Sequence, residues 1–310
     1  MVTKSLRHGI LLAANQDWVE RLVREGTFSR SMIRRFVAGD TRAEGLAAAT
    51  DLAAQGLTAT LDQLGENVLT PAAAAAAAAS YAETLCEMAG LGLEPNISVK
   101  LSMLGLDLSD EVAFDNMATV LTAAAAVKGF VRIDMEGSGY TERTIHLTEI
   151  LHERFPGRVG TVIQAALYRS DRDIDRLLAR GIRVRLVKGA YAEPAAIALQ
   201  RRDEVDAAFV TLMERLLADG VYPAIATHDP ALIRATRGFA LRMGIDRARW
   251  EFQMLYGVRR AAQVTIAREG FGMRVYVPFG VDWYPYFARR IAERPANALF
   301  VLRQLIARER

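Results

Sequence analysis

Eight short apolar or β-branched runs punctuate the chain, beginning near Leu57, Ile97, Val131, Val162, Val184, Ala224, Phe252 and Met273. Each has the length of a buried strand, and between them apolar positions recur at helical spacing. GLTAT leads to a helix expected from Thr70, NISVKL to one beginning near Asp110, and FVRID to TERTIHLTEILHERF. VGTVIQ, GIRVRLV, YPAIAT, WEFQML and GMRVYV carry the rhythm through the second half. Strand and helix in alternation force parallel pairing through right-handed crossovers. Eight such units predict an α/β fold closed into a (βα)8 barrel.

An open doubly wound sheet makes a different demand, a G-x-G-x-x-G turn directly after an early strand. The nearest approach, Gly137-Ser138-Gly139-Tyr140-Thr141-Glu142, puts Glu where the third glycine would let helix and strand close together. It reads as a loop and helix start, with Ser138 or Thr141 as cap.

Residues 1–55 read as helices without a strand. Trp18, Val19, Leu22 and Val23 form one apolar stripe, and Thr41 with Glu44 has capping-box spacing for a second helix. The expected organisation is an N-terminal helical segment, 1–55, and a barrel domain with C-terminal helices, 56–310. At 310 residues and 51% hydrophobic composition the chain has material for one large core.

Charge narrows the partners. With 39 basic and 36 acidic residues the formal charge is +3, and no basic tract interleaves with aromatics, so no nucleic acid is expected. A single cysteine, Cys86, allows no intrachain disulfide, and the start MVTKSLRHGILLAANQ lacks the pattern of a secretory leader, which points to the cytoplasm. The alanine run 72–79 is short and bounded by Pro71 and Ser80, so no transmembrane segment is expected.

A (βα)8 barrel keeps its chemistry at the C-terminal ends of its strands. The polar groups near the strand runs are Lys100, Asp134, Gln164, Arg185 with Lys188, His228, Glu251 with Gln253, and Tyr276. Only four lysines stand against 35 arginines, and two of the four, Lys100 and Lys188, close strands. A compact ammonium there can bind a carboxylate, form a Schiff base, or simply pair with a carboxylate such as Asp134. Asp134 and Glu136 fall on one side by strand alternation; metal binding is the weakest use for them, because the four histidines are scattered. Arg185 beside a bound phosphate or an electron-accepting ring would stabilise negative charge. In the helix after the last strand, Tyr286, Arg289, Arg290 and Glu293 lie at i, i+3, i+4 and i+7. The arginines can clamp a carboxylate with Glu293 orienting one of them, or the face can be a solvated, salt-bridged one.

The stretches LGENV, ISVKLS, FVRIDME, VGTVIQA, RLVKGAY, ATHDP, EFQMLYGVR, RVYVPFG and WYPYFARRIAERPAN, in this order from about residue 60 to 300, resemble the proline dehydrogenase family. The resemblance implies a distorted (βα)8 TIM barrel with FAD at its C-terminal mouth and L-proline against the isoalloxazine. Hydride passes from proline C5 to flavin N5, giving Δ1-pyrroline-5-carboxylate in the first step of proline catabolism. Lys100, Arg289 and Arg290 then match the carboxylate-binding residues, Asp134 a supporting pocket carboxylate, and Tyr276, Tyr286 and Leu255 the wall around the proline ring. Glu293 matches a partner on the arginine helix. Arg185 resembles the arginine near flavin N5, and Gln164, Lys188, His228 and Glu251 resemble residues contacting or supporting FAD; Val162 and Ala190 would act through backbone position.

Two departures are visible: Ala192 where many relatives carry tryptophan, and Asp229 where asparagine is common. The resemblance further implies a quinone acceptor, contact with the periphery of the inner membrane, and a separate pyrroline-5-carboxylate/glutamate-semialdehyde dehydrogenase. Leu299 to Ile306 reads as a core-covering or homo-oligomer-packing helix in preference to a membrane-facing one. An aldolase-like barrel using Lys100 or Lys188, and a noncatalytic carboxylate-binding protein, are the competing readings.

Overall fold

The computed structural model describes residues 33–65, 68–191 and 193–292, and for 289–292 only the backbone. The Trp18 stripe, Ala192, Glu293, the Leu299 to Ile306 stretch and the side chains of Arg289 and Arg290 lie outside the described residues.

Eight parallel strands close in sequence order: β1 (Thr58–Gln63), β2 (Asn96–Val99), β3 (Phe130–Ile133), β4 (Val159–Gln164), β5 (Arg183–Val187), β6 (Ala224–Ala226), β7 (Glu251–Leu255) and β8 (Gly272–Phe279). Closure is made by β1 on β8, in register from Thr58 opposite Arg274 to Gln63 opposite Phe279. The crossovers are α2 (Pro71–Gly90), α3 (Asp110–Ala126), α4 (Thr141–Arg154), α5 (Ser170–Ala179), α6 (Arg202–Asp219), α7 (Pro230–Arg242) and α8 (Arg260–Arg268). The alanine run forms the start of α2: Thr70 caps it, Pro71 is tolerated in the first turn, and Ala74, Ala77 and Ala78 are buried. The expected cap of α4 differs. Tyr140 stands at its N-cap, its hydroxyl donating to Asp107 at 2.8 Å and not capping the helix, and Ser138 is held by the Glu193 carboxylate, its N–H at 2.8 Å and its hydroxyl at 2.6 Å.

Two helices lie where a regular barrel would not put them. α1 (Arg42–Ala53) packs on β1 and β8, burying Leu46, Ala48, Ala49 and Leu52 in the main core. Gly45 faces the Phe279 ring so closely that a Cβ would meet it at 2.9 Å. α1 thus belongs to the barrel wall. The capping box that starts it is present: the Thr41 hydroxyl accepts from Glu44 N–H at 3.3 Å, and the Glu44 carboxylate accepts from Thr41 N–H at 3.1 Å. Thr41→Ala is expected to lower stability by about 1 kcal/mol in denaturant unfolding; an unchanged midpoint would remove the cap from the account.

With its wall position filled from the N-terminal side, the helix after β8, α9 (Tyr284–Ala292), turns over the mouth. Trp283, Tyr284, Tyr286 and Phe287 form a second apolar cluster with Ile33, Phe36, Val37, Leu64 and Val258, against which Leu255 and Tyr276 pack. Leu64, Val258, Leu255 and Tyr276 all lie at or just beyond the C-terminal halves of their strands.

The opposite end is sealed by buried charge. Arg274 donates through Nε to both Glu251 oxygens, at 3.0 and 3.1 Å, and through an NH2 group to Glu94 at 2.9 and 3.1 Å. Arg132 donates to the carbonyls of Thr161 and Arg183, while the Arg183 guanidinium lies 4.2 Å from the Phe130 ring and 4.4 Å from that of Tyr222. Glu251 is therefore corrected as a cofactor candidate: it opens β7 at the N-terminal end of the barrel, buried against Arg274, with Gln253 donating to it at 2.5 Å.

Candidate active site

The interior of the C-terminal half is a polar floor built from five strands. Asp134, the residue after β3, accepts from Arg185 of β5 at 2.7 Å and from the Tyr276 hydroxyl of β8 at 2.8 Å. Arg185 also donates to the Ser98 hydroxyl of β2 at 2.9 Å, and its guanidinium sits 5.3 Å from the Tyr276 ring centroid. Ser98 lies 3.3 Å from the Thr60 hydroxyl. Pairing in register places Thr60 opposite Tyr276 and Asp62 opposite Ser98, so the closure of the sheet itself assembles the group.

Lys100 directly follows β2 and stands before a 3-10 turn, Leu101–Leu104. Its ammonium pairs with Asp62 of β1 at 3.3 Å; Asp134, the partner suggested by sequence, is occupied by Arg185. Asp62 is wholly buried. Burial pushes its carboxyl above the usual range, with Asp134 adding to the push and Lys100 opposing it. Burial, then Asp134 and Asp62, likewise hold the Tyr276 hydroxyl well above its ordinary value, so it remains a proton donor.

Asp134 and Glu136 part company because β3 ends at Ile133 and alternation stops there. Glu136 turns to Ser102, accepting its N–H at 3.1 Å and its hydroxyl at 2.6 Å. Above the floor, Tyr286 of α9 and Leu255 of β7 pack in the apolar cluster that also holds Tyr276. The backbone of α9 carries Arg289 and Arg290 one turn beyond Tyr286.

The remaining candidates form the rim. Gln164 ends β4 and donates to the Glu136 carbonyl at 3.0 Å. Gly189, at φ +121°, passes so close that an added Cβ would stand 3.3 Å from the Gln164 carboxamide oxygen. Lys188 is held between Asp206 and Asp229, at 3.1 Å from the latter, and Asp229 also accepts from Ala231 N–H at 3.0 Å, capping α7. The His228 Nε2 accepts from Leu255 N–H at 2.9 Å, which places the ring proton on Nδ1. Val162 is buried within β4, and Ala190 follows Gly189.

Lys100, Asp134, Arg185 and Tyr276 are thus brought into one network, with Leu255 and Tyr286 as its apolar cover. The network also contains Asp62, Ser98 and Thr60, which the list of polar strand ends omits. The signal was present in TATLDQ, where Thr60 and Asp62 alternate on one face of a strand with an otherwise apolar centre.

Comparison with known proteins identifies the family. Proline dehydrogenase 1 of Bacillus subtilis (strain 168) is 40% identical over 302 residues, covering 97% of this chain and 99% of that protein. The proline dehydrogenase of Deinococcus radiodurans is 36% identical over 310 residues, 99% of each chain. Among solved structures, proline utilization A from Bdellovibrio bacteriovorus, inactivated by N-propargylglycine, superposes with a TM-score of 0.80 at 26% identity, covering 93% of this chain and 36% of that one. The sequence model for proline dehydrogenase matches residues 46–303. A closed eight-strand barrel, near-complete coverage of the shorter relatives and a match through every strand together establish that the chain belongs to the proline dehydrogenase family.

Proposed function

We propose that this enzyme oxidises L-proline to Δ1-pyrroline-5-carboxylate with FAD as its cofactor and passes the electrons to a quinone. The observation that carries the reading is the floor itself: two cations, Lys100 and Arg185, paired to two carboxylates beneath an apolar wall of Leu255, Tyr276 and Tyr286. That combination suits a small amino acid with an apolar ring.

The residues fit a flavin. Arg185 is 5% exposed, and its Nε–H has no acceptor among the described residues, which leaves a buried donor for a group that gains negative charge. Arg185, Gln164, Lys188 and His228 would hold FAD, with the close backbone approach at Gly189 beside Gln164. When bound, the flavin supplies the acceptor for the hydride that leaves proline C5. Lys100, Arg289 and Arg290 bind the substrate carboxylate, and the apolar wall orients the ring and keeps water from it. Proline must present a neutral amine when hydride departs. The cationic residues favour that form and disfavour the protonated one.

A Schiff-base role for Lys100 is not favoured, since its ammonium is tied to Asp62 and only the free amine is a nucleophile. Nor does a binding protein need the buried Arg185 donor. The bifunctional protein PutA of Escherichia coli is 29% identical over 330 residues, 25% of its length. The next oxidation, of glutamate semialdehyde formed by hydrolysis of the product, belongs to a pyrroline-5-carboxylate/glutamate-semialdehyde dehydrogenase activity. Among the described residues no helix is long and apolar enough to cross a membrane; the proposed quinone acceptor carries with it contact with the membrane periphery.

The test is an anaerobic absorption spectrum before and after L-proline. Bleaching of a flavin band is expected, as is loss of activity on incubation with N-propargylglycine. No flavin band after reconstitution with FAD would overturn the cofactor, and a band unmoved by proline would overturn the substrate. Arg289→Met is expected to raise KM for proline by about tenfold, the worth of one charge-assisted bond, with a smaller change in kcat; unchanged proline binding would remove Arg289 from the clamp.

A further inference from the structure

The carboxylate of Asp62 has no part in the reaction as proposed, yet it is the most deeply placed acid of the site. It is wholly buried, and one oxygen accepts from Lys100 at 3.3 Å, a looser contact than the 2.7 Å between Arg185 and Asp134. The other oxygen, Oδ2, has no hydrogen-bond partner among the described residues. Tyr276 lies beside it but has one hydroxyl proton, and gives it to Asp134 at 2.8 Å. A buried carboxylate with an empty acceptor and a single loosely held cation is costly to keep charged.

The groups around it come from every side of the barrel. Lys100 approaches from β2, Asp134 from β3, Tyr276 from β8, and Tyr81 from α2, its hydroxyl donating to the Gln63 carbonyl at 3.3 Å. Arg185 faces the same cluster but is engaged by Asp134 and Ser98. Lys100 is the cation available to Asp62, and it is also the residue assigned to the substrate carboxylate. The two carboxylates compete for one ammonium.

We propose that Asp62 is the positioning residue for Lys100, and that it takes up a proton from solvent when a ligand carboxylate engages that lysine. This rests on the reading of Lys100 as a substrate-carboxylate ligand. Without ligand, Asp62 keeps the ammonium oriented and its charge balanced. With ligand, a second negative charge arrives beside a buried acid that burial already inclines toward its neutral form. Protonation of Asp62 then releases Lys100 from that carboxylate toward the ligand, and the linkage makes carboxylate binding tighter as pH falls toward the acid's titration range.

The test uses the FAD-loaded enzyme and tetrahydrofuran-2-carboxylate, a five-membered ring acid with no amine to titrate. Calorimetry in two buffers of different ionisation enthalpy, across about pH 5 to 8, reads the protons bound per ligand. Net uptake is expected in the wild type and none in Asp62→Asn, which keeps an acceptor for Lys100 but cannot be charged. Uptake that persists undiminished in Asp62→Asn overturns the proton role.

Positioning has its own readout. Asp62→Leu, which removes both acceptor and charge, is expected to raise KM for proline about tenfold with kcat moving less, and Asp62→Asn to recover most of that loss. A wild-type KM in a folded, flavin-loaded Asp62→Leu enzyme overturns it. Lys100→Ala separates the two levels. If it weakens the probe while the Asp62 variants do not, only the Asp62 assignment falls; if it leaves probe binding intact, the carboxylate role of Lys100 falls as well.

Discussion

Arg185→Met is expected to slow reduction of the bound flavin by L-proline by about two to three orders of magnitude, the usual consequence of deleting one preorganised donor from a site where negative charge develops. Two causes add. The buried Nε–H and its positive charge disappear, and Asp134 loses its 2.7 Å partner while keeping the Tyr276 hydroxyl. Arg185→Lys restores charge without the fork that reaches Ser98 and Asp134 together, so recovery should be small. Anaerobic stopped-flow absorption measures the step directly, and flavin content measured alongside separates slow reduction from poor retention. A wild-type reduction rate in Arg185→Met would mean that the floor binds something other than the reacting centre.

The largest loss of stability is expected far from that centre. Arg274 is 2% exposed and bridges Glu251 and Glu94 at the N-terminal end of the barrel. Arg274→Met strands the equally buried Glu251 carboxylate and should cost about 3–5 kcal/mol in chemical denaturation. Arg274→Met with Glu251→Leu should recover a large part of it, since replacing both buried charges is far less damaging than removing one.

The pair also sets an acid limit. Burial by itself would raise the Glu251 carboxyl, but Arg274, aided by Gln253 and Arg183, overrides it and holds the group below the ordinary 4.5. A carboxyl depressed in the folded state adds stability that is present above its unfolded value and lost as pH falls through the folded one. Unfolding free energy should therefore decline more steeply below pH 4.5 in the wild type than in Glu251→Gln. Parallel acid profiles would show that the pair carries no net charge stabilisation.

The barrel was readable from periodicity because strands buried on both faces leave long apolar runs, and the eight runs correspond to the eight strands that close. Depth within the barrel was not. Alternation puts Glu251, Gln253 and Leu255 on one interior face, but four residues of rise, about 13 Å, separate the N-terminal end of β7 from the mouth. Glu251 was on the right face and at the wrong height. Pairing was equally hidden: Lys100 and Asp134 each close a neighbouring strand, and only the closure of β1 against β8 brings Asp62 beside one and Tyr276 beside the other. Asp62 escaped because its acid sits inside the apolar run, before the polar residues that mark a strand end. The helix α9 is the converse case: the spacing of its residues is evident in sequence, while the position of Tyr284, Tyr286 and Phe287 over the mouth depends on α1 having taken the wall.

That exchange of places sets where the folding unit begins. A chain started at Thr58 would contain all eight strands and still leave the outer face of β1 and β8 bare, exposing Phe279 and the surface covered by Leu46, Ala49 and Leu52. The smallest autonomous barrel must start upstream of Arg42, so its boundary follows the staves of the wall and not the hoops of the sheet.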